Sequence, residues 1–405
     1  MNKQDDLAVW RDGATELMPM MVALRRDIHR FPEQGLHLPQ TTRKARAALE
    51  GLDVEIAEGK STSGLIVTLR GAQQGPTILL RGDMDALPMP EDTDVAFKSE
   101  VENSMHACGH DAHTAMLVGA VHLLHRHRER LNGTVKFMFQ PGEEGHHGAR
   151  YMIEDGMLDA APKPQAAFAL HISPNIPNGV IAGRAGPMMA ACDNIDIVLR
   201  GKGGHASQPH MTLDPVPAAC EMVTAFQTLV TRRIDAFDPI ILSITQIEAG
   251  TATNVVPEEV HMRGTMRSFS EANRKRGRDG IERIARGIAG THELDLTIDL
   301  ERGYSVTHND ADFVSFARGV VTDLLGAARY HDMAAPVMGA EDFSYVLQKM
   351  PGCMMFLGVA PEGTAPGKAH ACHSNRMTLN EDAMADGCAT HAAVADRYLS
   401  GGFVK

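Results

Sequence analysis

The segment MHACGHDAHT, residues 105–114, puts one cysteine and three histidines within ten positions. Cys108 is open to four chemistries: nucleophile, redox thiol, buried filler or metal ligand. Cys108 and His110 lie two residues apart. In an extended or turned backbone such a pair faces one side, whereas inside a regular helix it diverges. The long helical pattern AHTAMLVGAVHLLHRHRERL sets in near Asp111 or Ala112, leaving Cys108 and His110 in the turn before it. Thiolate and imidazole there are good donors for zinc and related divalent metals. Asp111 is placed to cap the helix, and His113 to support the site or the core.

Three further segments bear on the choice. QPGEEG (140–145) sets Glu143 and Glu144 directly after a strand pattern, FALHIS sets His171 at the end of an apolar run, and ACHSN sets His373 late in the chain. Each alone fits a plain role: a solvated turn, a core histidine bonded to backbone, a surface histidine. Together Cys108, His110, Glu144, His171 and His373 form a cysteine–histidine–carboxylate set, with Glu143 free to take a proton from water. GDMDALP adds Asp83 and Asp85. An aspartate behind a metal-bound imidazole fixes its tautomer, and Asp85 is the one expected to do so. The competing chemistry is thiol acyl transfer at Cys108 with His110 as base; the paired glutamates and distant histidines favour metal-assisted hydrolysis.

The elements that must position these residues alternate helix and strand in the first half of the chain. ELMPMMVALRRDIHRFPE and TRKARAALEGL read as helices, TSGLIVTLRG, GPTILLRGDMDALP, TVKFMFQ and AAFALHI as strands. Polar motifs follow the apolar strand runs, at the edge where ligands bind in open α/β sheets. From about residue 187 the texture changes to strands that alternate like half-buried ones, separated by helices near 214–234 and 271–290, in the order β-α-β-β-α-β. Helix and strand alternation returns after 302. The expected organisation is a catalytic domain over 1–186 and 302–405, with a small α+β domain, 187–301, inserted in it.

Composition narrows the class. At 405 residues the chain exceeds one ordinary core. A formal charge of −12 argues against a nucleic-acid surface, and the densest basic run, RKRGRDGIERIAR, is laced with acids. No 18-residue apolar run and no signal-peptide core are present, so a cytoplasmic protein without a membrane anchor is expected. The six cysteines form no close pair in sequence, which fits neither a disulfide scaffold nor a four-cysteine zinc site.

RRDIHRFPE, RGDMDALP, MHACGHDAHTAML, QPGEEG, ALHI, GKGGHASQPH, GTATNVVPEEVHMRGTMR and MGAEDFSY, taken in order, resemble the M20 metallopeptidases, and within them the amidohydrolase branch of hippurate hydrolases and N-acyl-amino-acid deacylases. The resemblance spans nearly the whole chain. It implies a zinc-peptidase-like α/β catalytic domain with an inserted lid and dimerisation domain, a homodimer, and two divalent ions per subunit, manganese or zinc ahead of nickel or cobalt. It implies Cys108, His110, Glu144, His171 and His373 as metal ligands and Glu143 as general base. His205 of GKGGHAS matches a histidine that stabilises the oxyanion in a neighbouring subunit. Asn254 and Arg267 match substrate-side residues, the arginine suiting a carboxylate, and Glu341 lies near the site. The implied reaction is hydrolysis of an N-acyl amino acid to a carboxylic acid and an amino acid, with a dipeptidase or aminopeptidase-like enzyme as the alternative. A non-enzymatic binding protein on the same fold is a further one. Two departures from the pattern stand out: His146 and His147 where glycines are common, and CHSNRM where LHSPRF is common.

Overall fold

The computed structural model describes residues 3–365 and 367–403. The chain divides into two compact units, one of residues 1–188, 308–335 and 342–405, the other of 189–307 and 336–341.

The first unit is built on an eight-stranded sheet in the order Glu55–Glu58, Leu65–Arg70, Asn132–Gln140, Gln73–Asp83, Ala166–Ser173, Gly352–Gly358, Ile181–Gly183, Tyr330–Asp332. Its four central strands run parallel. Parallel strands are covered by helices on both faces, which is why they read as unbroken apolar runs. Runs such as KFMFQ show no polar alternation, and Phe137, Phe139, Phe168 and Leu80 are fully buried. The helix His110–Arg126 lies between other elements and is buried over most of its surface, 14 residues in all. Its neighbours Lys3–Arg30 and Ala383–Arg397 complete that layer. Because the central strands share a direction, their carboxyl ends Asp83, Gln140 and Ser173 emerge on one edge. The site residues Asp83, Asp85, Glu143, Glu144 and His171 sit at or just beyond those ends.

The second unit is a four-stranded antiparallel sheet in the order Ile240–Ala249, Glu259–Ser268, Ala191–Arg200, Asp295–Arg302, with helices Pro215–Arg233 and Glu271–Thr291 packed against it. Ile195, Ile197, Leu199, Met222, Phe226, Met262 and Ile281 form its core. The order of these elements is β-α-β-β-α-β, as the alternating sequence pattern predicts, with an added two-residue ladder joining Gly204–His205 to Val255–Val256. Among the described residues no helix is long and apolar enough to cross a membrane.

Candidate metal centre

His110 is the first residue of its helix, one position earlier than the sequence pattern indicates, and Gly109 is the residue before it. Gly109 has φ +78°, and a Cβ there would lie 2.5 Å from Ile172 Cγ1. Only glycine takes this left-handed turn without a penalty while letting the neighbouring strand come so close. The turn brings Cys108 and His110 to the strand that carries His171. Asp111 does not cap the helix; the structure corrects that expectation. Its carboxylate is fully buried, where it accepts from Arg25 Nε at 2.8 Å and lies 2.7 Å from His29 Nδ1. A capping carboxylate must turn back to free backbone N–H groups, and this one is taken by the two basic groups instead.

Within the first unit, groups of donors converge within 4.8 Å: Cys108, His110 and His171; Cys108, Glu144 and His373; His110, Glu143 and Glu144; and Asp83, His110 and His113. All five residues of the expected ligand set are therefore brought together, with Glu143 beside them. Cys108 Sγ is 3.3 Å from His171 Nε2, and His373 Nε2 is 3.1 Å from Glu144 Oε1. Glu144 is anchored by its own N–H, which donates to Asp85 Oδ2 at 2.9 Å. His373 is half exposed and has φ +68°, a left-handed backbone that costs a non-glycine residue about 1–3 kcal/mol.

The tautomers follow from neighbouring backbone groups. Ile172 C=O accepts from His171 Nδ1 at 2.7 Å, leaving the Nε2 lone pair facing Cys108. Ile172 N–H donates to His113 Nε2 at 2.8 Å, so His113 carries its proton on Nδ1, which donates to Asp83 at 2.5 Å. Asp83 in turn meets Arg81 Nη1 at 2.5 Å, and Arg81 is wholly buried between Gln140 and Asp342. Asp83 and His113 thus form a supporting pair, His113 in the supporting place the sequence pattern offered it, with Asp83 rather than the favoured Asp85 as its aspartate. Asp85, the aspartate favoured there, lies 3.4 Å from His110 Nδ1.

Burial alone would lower the His110 pKa, but Asp83, Asp85 and Glu144 outweigh it and raise it to about 10. His171 is pushed down to about 3 by burial and by the neighbouring His113, so it stays neutral and able to donate a lone pair. The Cys108 thiol is held up by the adjacent Cys372, by burial and by the charges of Glu144 and Glu143.

The chemistry of the set fits divalent cations. Both ring nitrogens of His110 are buried and make no hydrogen bond, the nearest acceptors, Asp85 Oδ1 and Asp83 Oδ2, standing off at 3.4 and 3.6 Å. Leaving buried polar atoms unpaired costs about 1–3 kcal/mol each, more when charged. Cations held between them remove that cost, and a mixed thiolate, imidazole and carboxylate set suits borderline metals.

Residues 79–397 match Peptidase family M20/M25/M40. The chain belongs to that family. It is an M20 enzyme of the amidohydrolase type: an α/β catalytic domain with an inserted β-rich subdomain, and a metal-dependent hydrolase. Over 392 residues it is 36% identical to thermostable carboxypeptidase 1 of Saccharolobus solfataricus, covering 96% of this chain and 98% of the relative. It is 36% identical to the N-acetylcysteine deacetylase of Bacillus subtilis, covering 90% and 93%. The crystal structure of the Bacillus subtilis YXEP protein, described as a dinuclear metal binding peptidase from the M20 family, superposes with a TM-score of 0.80 at 33% identity, covering 95% of this chain and 99% of that one. Clustered donors able to hold two ions match that dinuclear pattern.

The remaining expected residues of the M20 chain belong to the second unit. His205 is exposed, its Nδ1 accepting from Ser207 N–H at 3.1 Å. Asn254 C=O accepts from Ala206 N–H at 2.9 Å, which ties it to the His205 segment. Arg267 is half buried in the sheet opposite Cys192 and Ile241, and Glu341 is buried at the end of the returning segment 336–341. In the first unit, His147 takes a left-handed φ of 58° and shares a 2.8 Å hydrogen bond with Tyr345 Oη, while His146 is exposed.

Sequence reading missed a polar layer beneath the site: Arg25, His29, Glu91, Asp111 and Glu381. A signal was present. Arg25 and His29 are four apart, on the face of their helix that also buries Met21 and Ile28.

Proposed function

We propose that this chain hydrolyses N-acyl amino acids of the hippurate type, releasing a carboxylic acid and a free amino acid. The observation that carries the reading is the buried Glu143 beside the Cys108, His110, Glu144, His171 and His373 donors. It is a carboxylate in reach of the metal donors that the five-residue set does not need. Cys108, His110, Glu144, His171 and His373 would hold the ions. Bound divalent ions lower the pKa of water and polarise an amide carbonyl. Glu143 takes the proton of the attacking water and returns it to the nitrogen as the C–N bond breaks, so that water is divided between acid and amine. His205, from a neighbouring copy, donates to the oxygen that gains charge. Arg267 offers a bidentate fork to the substrate carboxylate, and Asn254 is a second substrate-side residue. Glu341 is the third residue assigned to the substrate side.

The similarity to an N-acetylcysteine deacetylase supports this substrate class. The equal similarity to a carboxypeptidase favours, as the second reading, removal of a C-terminal residue from a peptide, which uses the same carboxylate recognition. A homodimer is in keeping with the edge strand Ile240–Ala249, whose Ile241 and Ile247 are exposed. A cytoplasmic setting is in keeping with six free cysteines.

A hydrolysis panel of hippurate, N-acetyl amino acids, dipeptides and N-blocked dipeptides, run with manganese and with zinc, decides between the readings. Acyl amino acids should turn over fastest; faster cleavage of N-blocked dipeptides would favour the carboxypeptidase. Glu143→Gln should lose turnover by more than about 100-fold while keeping its metal. Unchanged turnover, or full activity in chelator-treated protein, would reject the mechanism.

A further inference from the structure

Cys372 has no role in the hydrolytic scheme, yet it sits against one of that scheme's ligands. The N–H of His373 donates to the carbonyl of Ala107 at 2.8 Å. The donating peptide group carries the α-carbon of Cys372, and the accepting one carries that of Cys108. Two peptide groups joined by one such bond keep the α-carbons they carry within several ångströms of each other, in reach of the roughly 4.4–6.8 Å that a disulfide spans. The two thiols also influence each other electrostatically, Cys108 being raised and Cys372 lowered by the pairing. Both are free; Cys108 is buried and Cys372 is partly buried. Among the described residues Cys372 joins none of the donor groups that converge within 4.8 Å. It is thus placed to meet the Cys108 sulfur without being placed to help hold an ion.

We propose that Cys108 and Cys372 form a reversible disulfide that takes Cys108 away from the metal centre under oxidising conditions. The proposal rests on Cys108 being a ligand. With hydrogen peroxide as oxidant, the more accessible sulfur, Cys372, attacks the O–O bond, becoming a sulfenic acid and releasing one water. Cys108 then attacks that sulfur and expels the second water. Two thiols and one peroxide give one disulfide and two waters, with two electrons passing from sulfur to oxygen and both thiol protons ending in water. A disulfide sulfur no longer offers the thiolate that binds a metal. Linkage runs in both directions: metal held by Cys108 protects the pair, and the disulfide weakens metal binding. Reduction by dithiothreitol reverses both.

The test treats the full-length protein with peroxide, once metal-loaded and once after chelation. Alkylation and digestion without reduction follow, with peptide mass analysis and a metal count per chain. Expected are a linked peptide pair containing Cys108 and Cys372, faster linkage after chelation, and a loss of metal affinity of more than about 10-fold that dithiothreitol restores. Cys372→Ser should give no linked pair and keep its metal at the same peroxide dose. The proposal is overturned if both sulfurs reach sulfinic acid without linking, or if Cys372→Ser loses metal as fast as the parent. Linkage with the metal count unchanged overturns it differently, by showing that Cys108 is no ligand.

Discussion

Gly109→Ala tests the turn on which the centre depends. At φ +78° an alanine bears a left-handed penalty of about 1–2 kcal/mol. Its Cβ would also stand 2.5 Å from Ile172 Cγ1, a contact that must be relieved by moving the helix start or the His171 strand. Overpacking of this kind costs about 1–3 kcal/mol, so the expected loss is about 2–5 kcal/mol, a large share of the 5–15 kcal/mol typical of folded proteins. Trp10 is the only tryptophan in the chain, fully buried in the first unit with its Nε1–H on Asp396 at 3.1 Å. Its fluorescence during urea unfolding therefore reports on the unit that holds the site. Because residues 108 and 110 flank the substitution, metal affinity should fall with stability. Ile172→Ala alone should cost about 2–5 kcal/mol through its cavity, yet the double variant should fall short of the sum by the clash part, about 1–3 kcal/mol. A loss below 0.5 kcal/mol, or a strictly additive double variant, would refute the reasoning.

Two further outcomes follow from the polar layer under the site. Asp111→Asn removes the buried partner of Arg25 and should cost about 3–5 kcal/mol by the same fluorescence transition; a loss under 1 kcal/mol would mean that Arg25 is satisfied by Glu381 alone. Burial pushes the Glu381 carboxyl up, but Arg26 and Arg25 outweigh it and hold it below the usual carboxylate range. A depressed folded pKa gives stability that is present above the unfolded value and is lost as pH falls through the folded one. Parent and Glu381→Gln should differ by about 1–2 kcal/mol at pH 7, discounted because Arg26 is half exposed, and converge in acid; a constant difference across pH would refute the assignment.

The ligand chemistry was open to reading because it depends on residue type and on position after apolar runs. A strand of the ALHI kind ends with its histidine at the sheet edge whatever surrounds it, and two glutamates after TVKFMFQ emerge on that same edge once the strands run parallel. The β-α-β-β-α-β order of the second unit was likewise carried by period, since alternating and helical spacing differ over ten residues. Partner choice among buried polar groups was not legible. Asp111 has the sequence context of a helix cap, but Arg25, 86 positions away, claims it. Asp83 and Asp85 differ only by which imidazole each meets, and packing assigned Asp83 to His113.

The sequence by itself determined the donor types, the strands that present them and the family they belong to, because these rest on local spacing and ordered motifs. The tertiary structure alone decided which tautomer each imidazole holds, since Ile172 supplies both the acceptor for His171 and the donor for His113. It alone decided the left-handed strain at His373 and the backbone bond from His373 N–H to Ala107, which brings segments 266 residues apart by number (373 less 107) together. Contacts of that range arise from chain crossing, and no local pattern encodes which distant segment arrives.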